Sequence, residues 1–591
     1  WLGAVSSPCE DKRVDMDGPA TDLPSLTKWQ PEPLVLVWFA LLLRCMVSLW
    51  PYSGQGEGPM HGDYEAQRHW MEITNALPLH QWYRFDLEYW GLDYPPLTAY
   101  VSWAYGRLST VLQPASMALG LSRGYETQSH KAFMRMTVLL LDLAIFFPAA
   151  AALTSRLAID RAMRRGRGVP LLQRWDHPAA TRGLFMVLLS PSLVLVDHGH
   201  FQYNCVCLGL TVAAAAAVAS GKRRGELVGS ALFSLSLNFK QMALYFAPAF
   251  FFYLLASCVW SNPAGTAAIG RHADGTATSF NRLSEVLRRV LGLGSVVIVT
   301  FGVMWAPFCL FRDDGSEDGS DARSGCLSSM GHVAVRLFPF SRGLFEDKVA
   351  NLWFCLDVVF KLRRRLPVPQ LAKLALASTL SLLVPVGAEL LRPGRSRTAR
   401  RLVLALFNSS MAFFLCSYQV HEKSLLLPLC PLAFLWRDAP LFTTWLQVIG
   451  VFSMKPLLAR EGLLVPCVVC TLLYVATSVF LALPEGDAGE PSASSFPYGR
   501  CLTRARLGVM AALSLGGMLL LLGLEAAVAP PAALPYLHPT LNAMYSCANL
   551  TAAYGIGVWW QWREGTRGGG SGVGERQDRR LSHETGTKKH R

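Results

Sequence analysis

Residues 34–50 read Leu34-Val35-Leu36-Val37-Trp38-Phe39-Ala40-Leu41-Leu42-Leu43-Arg44-Cys45-Met46-Val47-Ser48-Leu49-Trp50, an apolar run carrying a single charge, Arg44. As a helix rising about 1.5 Å per residue, such a run crosses or nearly crosses a hydrocarbon core roughly 30 Å thick. Shortly after it comes a stretch of opposite character, His61-Gly62-Asp63-Tyr64-Glu65-Ala66-Gln67-Arg68-His69-Trp70-Met71-Glu72, and then Gly91-Leu92-Asp93-Tyr94-Pro95-Pro96. Carboxylates and aromatics concentrated just outside an apolar segment are what a membrane enzyme needs for chemistry at the bilayer surface.

The rest of the chain repeats the apolar pattern. Of 591 residues, 52% are hydrophobic and 16% charged, against about 25% charged in ordinary soluble proteins. Further apolar runs cover 134–154, 183–196, 205–220, 227–237, 242–258, 286–310, 371–391, 402–416, 425–434, 443–458, 464–483, 508–528 and 543–560, with 352–361 a short, doubtful one. The expected fold class is therefore an all-α polytopic membrane protein with roughly 12–14 transmembrane helices.

Basic residues set the orientation. Residues 156–177 hold Arg156, Arg161, Arg164, Arg165, Arg167 and Arg174, and further basic turns lie at 222–224 and 392–401. These read as cytosolic by the positive-inside rule. The acidic stretch 61–96 and the loop 313–347 read as lying on the other face. The net charge of +14 is thus largely cytosolic arginine. No basic, aromatic-interleaved surface of the kind that binds nucleic acid is present.

Residues 1–33 read as an N-terminal cytosolic segment. The Gly-rich, charged tail at 563–591 reads as disordered and cytosolic. Its end, Lys588-Lys589-His590-Arg591, matches a dilysine signal for retrieval to the endoplasmic reticulum, with a solvated basic tail as the alternative. The 14 cysteines show no metal-ligand spacing and lie mostly in apolar runs, where they act as small hydrophobes. Cys326, in a non-cytosolic loop, has Cys309 as a disulfide partner within reach, and a free thiol as the alternative.

Asp63 follows Gly62 at a helix start running to Trp70, where free backbone N–H groups favour a carboxylate. Arg68 lies one turn from Glu65 and Glu72, so those charges pair along the helix. Pro95-Pro96 stiffens the turn carrying Asp93 and Tyr94. Asp197-His198-Gly199-His200-Phe201-Gln202-Tyr203-Asn204 reads as a compact polar hairpin between two apolar runs, on the face of Asp63. Lys240-Gln241 and Gln419-Val420-His421-Glu422-Lys423-Ser424 interrupt two more. Ionisable residues at membrane depth are costly and read first as functional, with snorkelling to the interface as the alternative.

Together with Phe345-Glu346-Asp347-Lys348-Val349-Ala350-Asn351, these motifs resemble the dolichyl-phosphate-glucose-dependent glucosyltransferases of asparagine-linked glycosylation, glycosyltransferase family 57. The resemblance runs from about residue 34 to 431; the C-terminal helices at 432–562 match only in hydropathy. It implies a GT-C fold, with a membrane module at 34–431 and a catalytic first luminal loop at about 51–130, in the endoplasmic reticulum membrane. Within the family, the runs at 65–70 and 345–351 resemble the member that adds the first glucose, in α-1,3 linkage and with inversion, to a nine-mannose acceptor on dolichyl diphosphate. The donor would be dolichyl phosphate glucose, and no cofactor is implied.

By resemblance Asp63 is the catalytic carboxylate, and inverting transfer needs one such base. A phosphate ester leaves as a stable anion, so no separate acid is required; cationic donors around it help instead. The candidate substrate-binding set is Arg68, Asp93, Tyr94, His198, His200, Gln202, Lys240, His421, Glu422 and Lys423. Among these Arg68, Lys240, His421 and Lys423 are the candidates for phosphate. Asp93 is expected to orient the acceptor or its own loop, and Glu65 to pair with Arg68. No dense carboxylate cage appears, so no metal site is expected. The alternatives are the member that extends a mono-glucosylated acceptor, and a non-catalytic lipid-glycan transporter.

Overall fold

A computed structural model describes residues 32–164, 178–260, 275–310, 322–337, 348–482, 496, 498 and 502–566. The dilysine pair, the acidic run 313–321 and Phe345-Glu346-Asp347 lie outside the described residues. Among those described there is no strand. In chain order the helices are α1 (Pro33–Ser48), α2 (Asp63–Ala76), α3 (Pro96–Leu112), α4 (Gln128–Leu141), α5 (Phe147–Arg164), α6 (Pro178–Leu188), α7 (Pro191–Val194), α8 (Asn204–Val218), α9 (Arg223–Phe239) and α10 (Ala247–Trp260). They continue with α11 (Gly275–Leu310), α12 (Ala322–Leu337), α13 (Leu352–Phe360), α14 (Leu362–Arg365), α15 (Val368–Leu390), α16 (Ala399–Cys416), α17 (Leu426–Ala433), α18 (Pro440–Arg460), α19 (Leu464–Ala482), α20 (Arg504–Ala527) and α21 (Leu537–Thr566).

Eight helices among the described residues are long and apolar enough to cross a membrane, or nine if the bent pair 180–188 and 191–201 is one span. Two shorter apolar helices, α1 and α8, join them, and the total still falls short of twelve. Hydropathy alone does not separate a lipid-spanning helix from a short buried one. α13 has 9 residues and α17 has 8, too few to cross a core that takes about 20. The tail expected from 563 begins later, since Arg563 to Thr566 still belong to α21.

α16 is the central helix. In its 18-residue window 94% of residues are buried, against 6% for the span 283–310 in α11. A helix apolar all round belongs inside a bundle; α16 packs against α5, α10, α15, α17 and α21, and α11 turns most of its surface outward.

The two ends of the bundle differ in charge. At one end, Arg161 pairs with Asp438 at 2.6 Å, and Arg400 with both Asp438 (3.0 Å) and Glu564. The continuous span 128–164 starts at the other end, where His130 Nδ1 lies 2.9 Å from the Tyr64 hydroxyl. Asp63 and the basic segments therefore sit at opposite ends of one long helix. The Asp63 end also holds a disulfide, Cys309–Cys326, joining α11 to α12. Phe308 beside it packs on Trp82 and Tyr83 of the loop carrying Asp93.

Candidate active site

α2 places Asp63. Gly62 precedes it with extended backbone, and Asp63 and Glu65 occupy the first turn, where the helix dipole favours negative charge. Gly62 is there for space, since a Cβ at this position would come within 2.6 Å of the Ser53 carbonyl oxygen. Tyr64 through Thr74 are buried, so this polar helix is clamped rather than solvated.

Residues 195–201 form a π-helical turn continuing α7, not the expected hairpin. The wider turn splits the motif between two neighbourhoods, as such turns often do at functional sites. His198 turns inward, its Nε2 lying 3.0 Å from Asp142, which also pairs with Arg44. Phe201 takes a left-handed φ of 88°, a strained conformation for a bulky residue. Beyond it the chain emerges beside Asp63. His200 Nε2 then lies 2.8 Å from Asp63 Oδ2, and the Gln202 amide donates to the same oxygen.

The third element is the short turn Glu422–Leu425. Its Lys423 ammonium donates to Asp63 Oδ2 and lies 3.1 Å from His200 Nε2. Among the described residues, every hydrogen-bond partner of the Asp63 side chain thus falls on Oδ2. Burial pushes this carboxyl up, but the charges of Lys423 and His200 outweigh it and hold Asp63 well below the usual carboxylate range. Asp63 is ionised at neutral pH.

The fourth element comes from the C-terminal third. α18 ends in a Schellman motif, with Gly462 N–H donating to Ala459 O, Leu463 N–H to Leu458 O, and Gly462 at a φ of 71°. A glycine supplies that left-handed position without a Cβ penalty. The turn leaves Glu461 at the C-cap, its carboxylate oxygens 2.6 and 2.7 Å from His200 Nδ1. Sequence reading missed Glu461 and its neighbour Arg460. Their signal was a charged doublet before a glycine at the end of an apolar run.

These four elements enclose a cavity of about 360 Å³ lined by Asp63, His200, His421, Glu422, Lys423, Arg460 and Glu461, with Ser53, Gly54, Glu57, His61, Gly62 and Leu457. Of the candidate binding residues, His200, His421, Glu422 and Lys423 line it, and Gln202 reaches its floor through Asp63.

The others lie elsewhere. Arg68, expected at a phosphate, is buried and bonded to Glu65 at 2.6 and 2.7 Å and to Glu72 at 2.7 Å. Two carboxylates within one turn outcompete a distant ligand for its guanidinium. Burial opposes ionisation of Glu72, but His69, Arg68 and the Gly120 N–H together bring its carboxyl down to about 2. Lys240, also expected at a phosphate, donates at 2.7 Å to both Gln202 Oε1 and Asn204 Oδ1, behind the cavity and beneath the Tyr94 ring. Asp93 and Tyr94 do not line the cavity; the Asp93 carbonyl accepts from Gln241, and Tyr94 packs on Trp70. His198 is likewise outside it. Among the described residues, no group of three His, Cys, Asp or Glu side chains is placed to hold a metal ion.

Comparison with known proteins adds the chemistry. Residues 40–556 match the ALG6, ALG8 glycosyltransferase family, so the likeness continues through the C-terminal third that hydropathy alone had matched. The chain is 40% identical over 446 residues to the probable dolichyl pyrophosphate Man9GlcNAc2 alpha-1,3-glucosyltransferase of Dictyostelium discoideum, covering 75% of this chain and 76% of that one. It is 36% identical to the Gallus gallus dolichyl pyrophosphate Man9GlcNAc2 alpha-1,3-glucosyltransferase, covering 88% and 94%. For the Saccharomyces cerevisiae enzyme of the same description the identity is 36%, with 79% of each chain covered.

Proposed function

The chain belongs to the ALG6, ALG8 glycosyltransferase family, and we propose that it transfers glucose from dolichyl phosphate glucose to Man9GlcNAc2 on dolichyl pyrophosphate, forming an α-1,3 link. The reaction would take place at the luminal face of the endoplasmic reticulum membrane. The observation that carries the mechanism is the asymmetry of Asp63: Oδ2 is engaged by His200, Gln202 and Lys423, which leaves Oδ1 for a proton.

The acceptor mannose hydroxyl attacks the anomeric carbon of the β-linked glucosyl phosphate, and its proton passes to Asp63 Oδ1. The C–O bond to phosphate breaks on the opposite side, so configuration inverts and dolichyl phosphate departs as an anion. An ionised, positioned base is what this step requires. Lys423, His421 and Arg460 share the cavity with Asp63 and supply donors for the departing charge. Lys423 serves both ends of the reaction, because an ammonium has three protons and Asp63 takes one.

Several features support the luminal placement. The arginine clusters lie at the opposite end of the bundle, as the positive-inside rule requires for a non-cytosolic Asp63. The Cys309–Cys326 disulfide lies at the Asp63 end, and disulfides persist in oxidising compartments.

The test uses purified protein in nanodiscs with dolichyl phosphate glucose and the nine-mannose lipid-linked acceptor. Wild type transfers glucose and folded Asp63→Asn does not. Transfer only to a mono-glucosylated acceptor would move the assignment to the second glucosyltransferase. Equal activity in Asp63→Asn would overturn the mechanism.

A further inference from the structure

Glu461 lies outside every motif that pointed to Asp63, yet only one imidazole separates the two carboxylates. His200 spans the gap, Nε2 at 2.8 Å from Asp63 and Nδ1 at 2.6 Å from Glu461. Its ring is buried, 2% exposed. Its backbone is tied as well: the Ser53 N–H donates to the His200 carbonyl at 3.0 Å, and Arg135 donates to the Gly199 carbonyl at 2.7 Å. At the far end Glu461 is fixed by the Schellman turn of α18. A rigid line therefore runs from a helix terminus, through an imidazole, to one oxygen of the base.

We propose that Glu461 is a positioning residue for glucosyl transfer: acting through His200, it holds Asp63 by Oδ2 and presents Oδ1 to the acceptor hydroxyl. This rests on the reading of Asp63 as the base. The physical reason is twofold. A ring bonded at both nitrogens cannot swing, so the carboxylate it holds cannot rotate. Two flanking carboxylates also favour the doubly protonated ring, which donates to both.

The charges around His200 act in both directions. Asp63 from α2 and Glu461 after α18 favour the cationic ring. Lys423 from the turn Glu422–Leu425 opposes it, as does Arg135 from α4 at the Gly199 carbonyl. Arg460, His421 and Glu422 line the same cavity, and Lys240 lies behind Gln202. Glu461 offsets Lys423, which is why its loss would be felt at Asp63. A base misplaced by about 1 Å costs on the order of a hundredfold in rate.

The experiment compares wild type, Glu461→Gln, His200→Gln, the double variant and Asp63→Asn, as full chains in nanodiscs with dolichyl phosphate glucose and the nine-mannose acceptor. Glu461→Gln is expected to lower kcat about tenfold to a hundredfold, with acceptor KM little changed. The alkaline limb of its pH profile moves to lower pH, a change of shape that loss of folded protein alone would not produce. The double variant is expected to be no slower than His200→Gln, because both substitutions break one line. Glu461→Asp restores a carboxylate and should recover part of the alkaline limb, which keeps the test open if Glu461→Gln folds poorly. Multiplying effects in the double variant, or a Glu461→Gln profile of unchanged shape, would overturn the proposal. If Asp63→Asn stays inactive in that case, the base reading survives alone; if Asp63→Asn is active, the base reading itself fails.

Discussion

Asp63 Oδ2 and His200 Nε2 lie 2.8 Å apart although 137 positions separate them in the chain. α2 brings one and a π-helical turn the other, and Lys423 completes the contact from 360 positions beyond Asp63. The charge balance of this cluster sets how the base behaves.

Lys423→Met removes the cation that does most to offset the burial of Asp63. Asp63 is held well below the usual carboxylate range, so in wild type it remains a base as pH falls through the ordinary carboxylate region near about 4. Without the ammonium the Asp63 pKa rises, and the acid limb of kcat shifts to higher pH. The same sign holds for stability: the contribution of ionised Asp63 is present above its unfolded value and lost as pH falls through its folded one. Donor KM is expected to rise about tenfold or more through the lost phosphate contact. A pH–rate profile with an unmoved acid limb would refute the coupling.

Arg68→Met leaves Glu65 and Glu72 buried without their guanidinium. Removing one partner of a buried ionic network costs about 3–5 kcal/mol, which thermal or denaturant unfolding in detergent would read. Because Arg68 does not line the cavity, transfer per folded molecule should change little at saturating donor. A selective rise in donor KM with normal stability would return Arg68 to the phosphate.

Gly62→Ala pushes α2 off its seat. The new Cβ meets Ser53 Oγ at 2.5 Å and the Ser53 carbonyl oxygen at 2.6 Å, and the Ser53 N–H also holds His200. Both sides of the Asp63–His200 contact move together. A loss in kcat of about tenfold to a hundredfold is expected, together with about 1–3 kcal/mol of stability lost to overpacking. Full activity in steady-state transfer assays would show that the seat is more compliant than this packing implies.

Peptide mass spectrometry of unreduced protein from native membranes should find the residues around Cys309 and Cys326 covalently joined, and reduction should separate them. Alkylation of both thiols without reduction would place that end of α11 outside an oxidising compartment, and Asp63 with it.

Much of this protein is determined locally. Apolar length sets a polytopic helical fold, because bilayer thickness acts on each segment on its own. Gly62-Asp63 sets a helix start with a carboxylate in its first turn, and Arg68 its pairing with Glu65 and Glu72, because those partners lie within one helical turn. Tertiary structure alone decided which of the remaining polar residues meet. It sent His198 inward and His200 toward Asp63, although two positions separate them, because the turn that carries both is π-helical. It placed Lys240 behind Gln202 rather than in the cavity, and it delivered Glu461 and Arg460 from a helix whose sequence reads as membrane filler. Such contacts depend on where α18 ends relative to the π-helical turn, a distance across the bundle that no local pattern encodes.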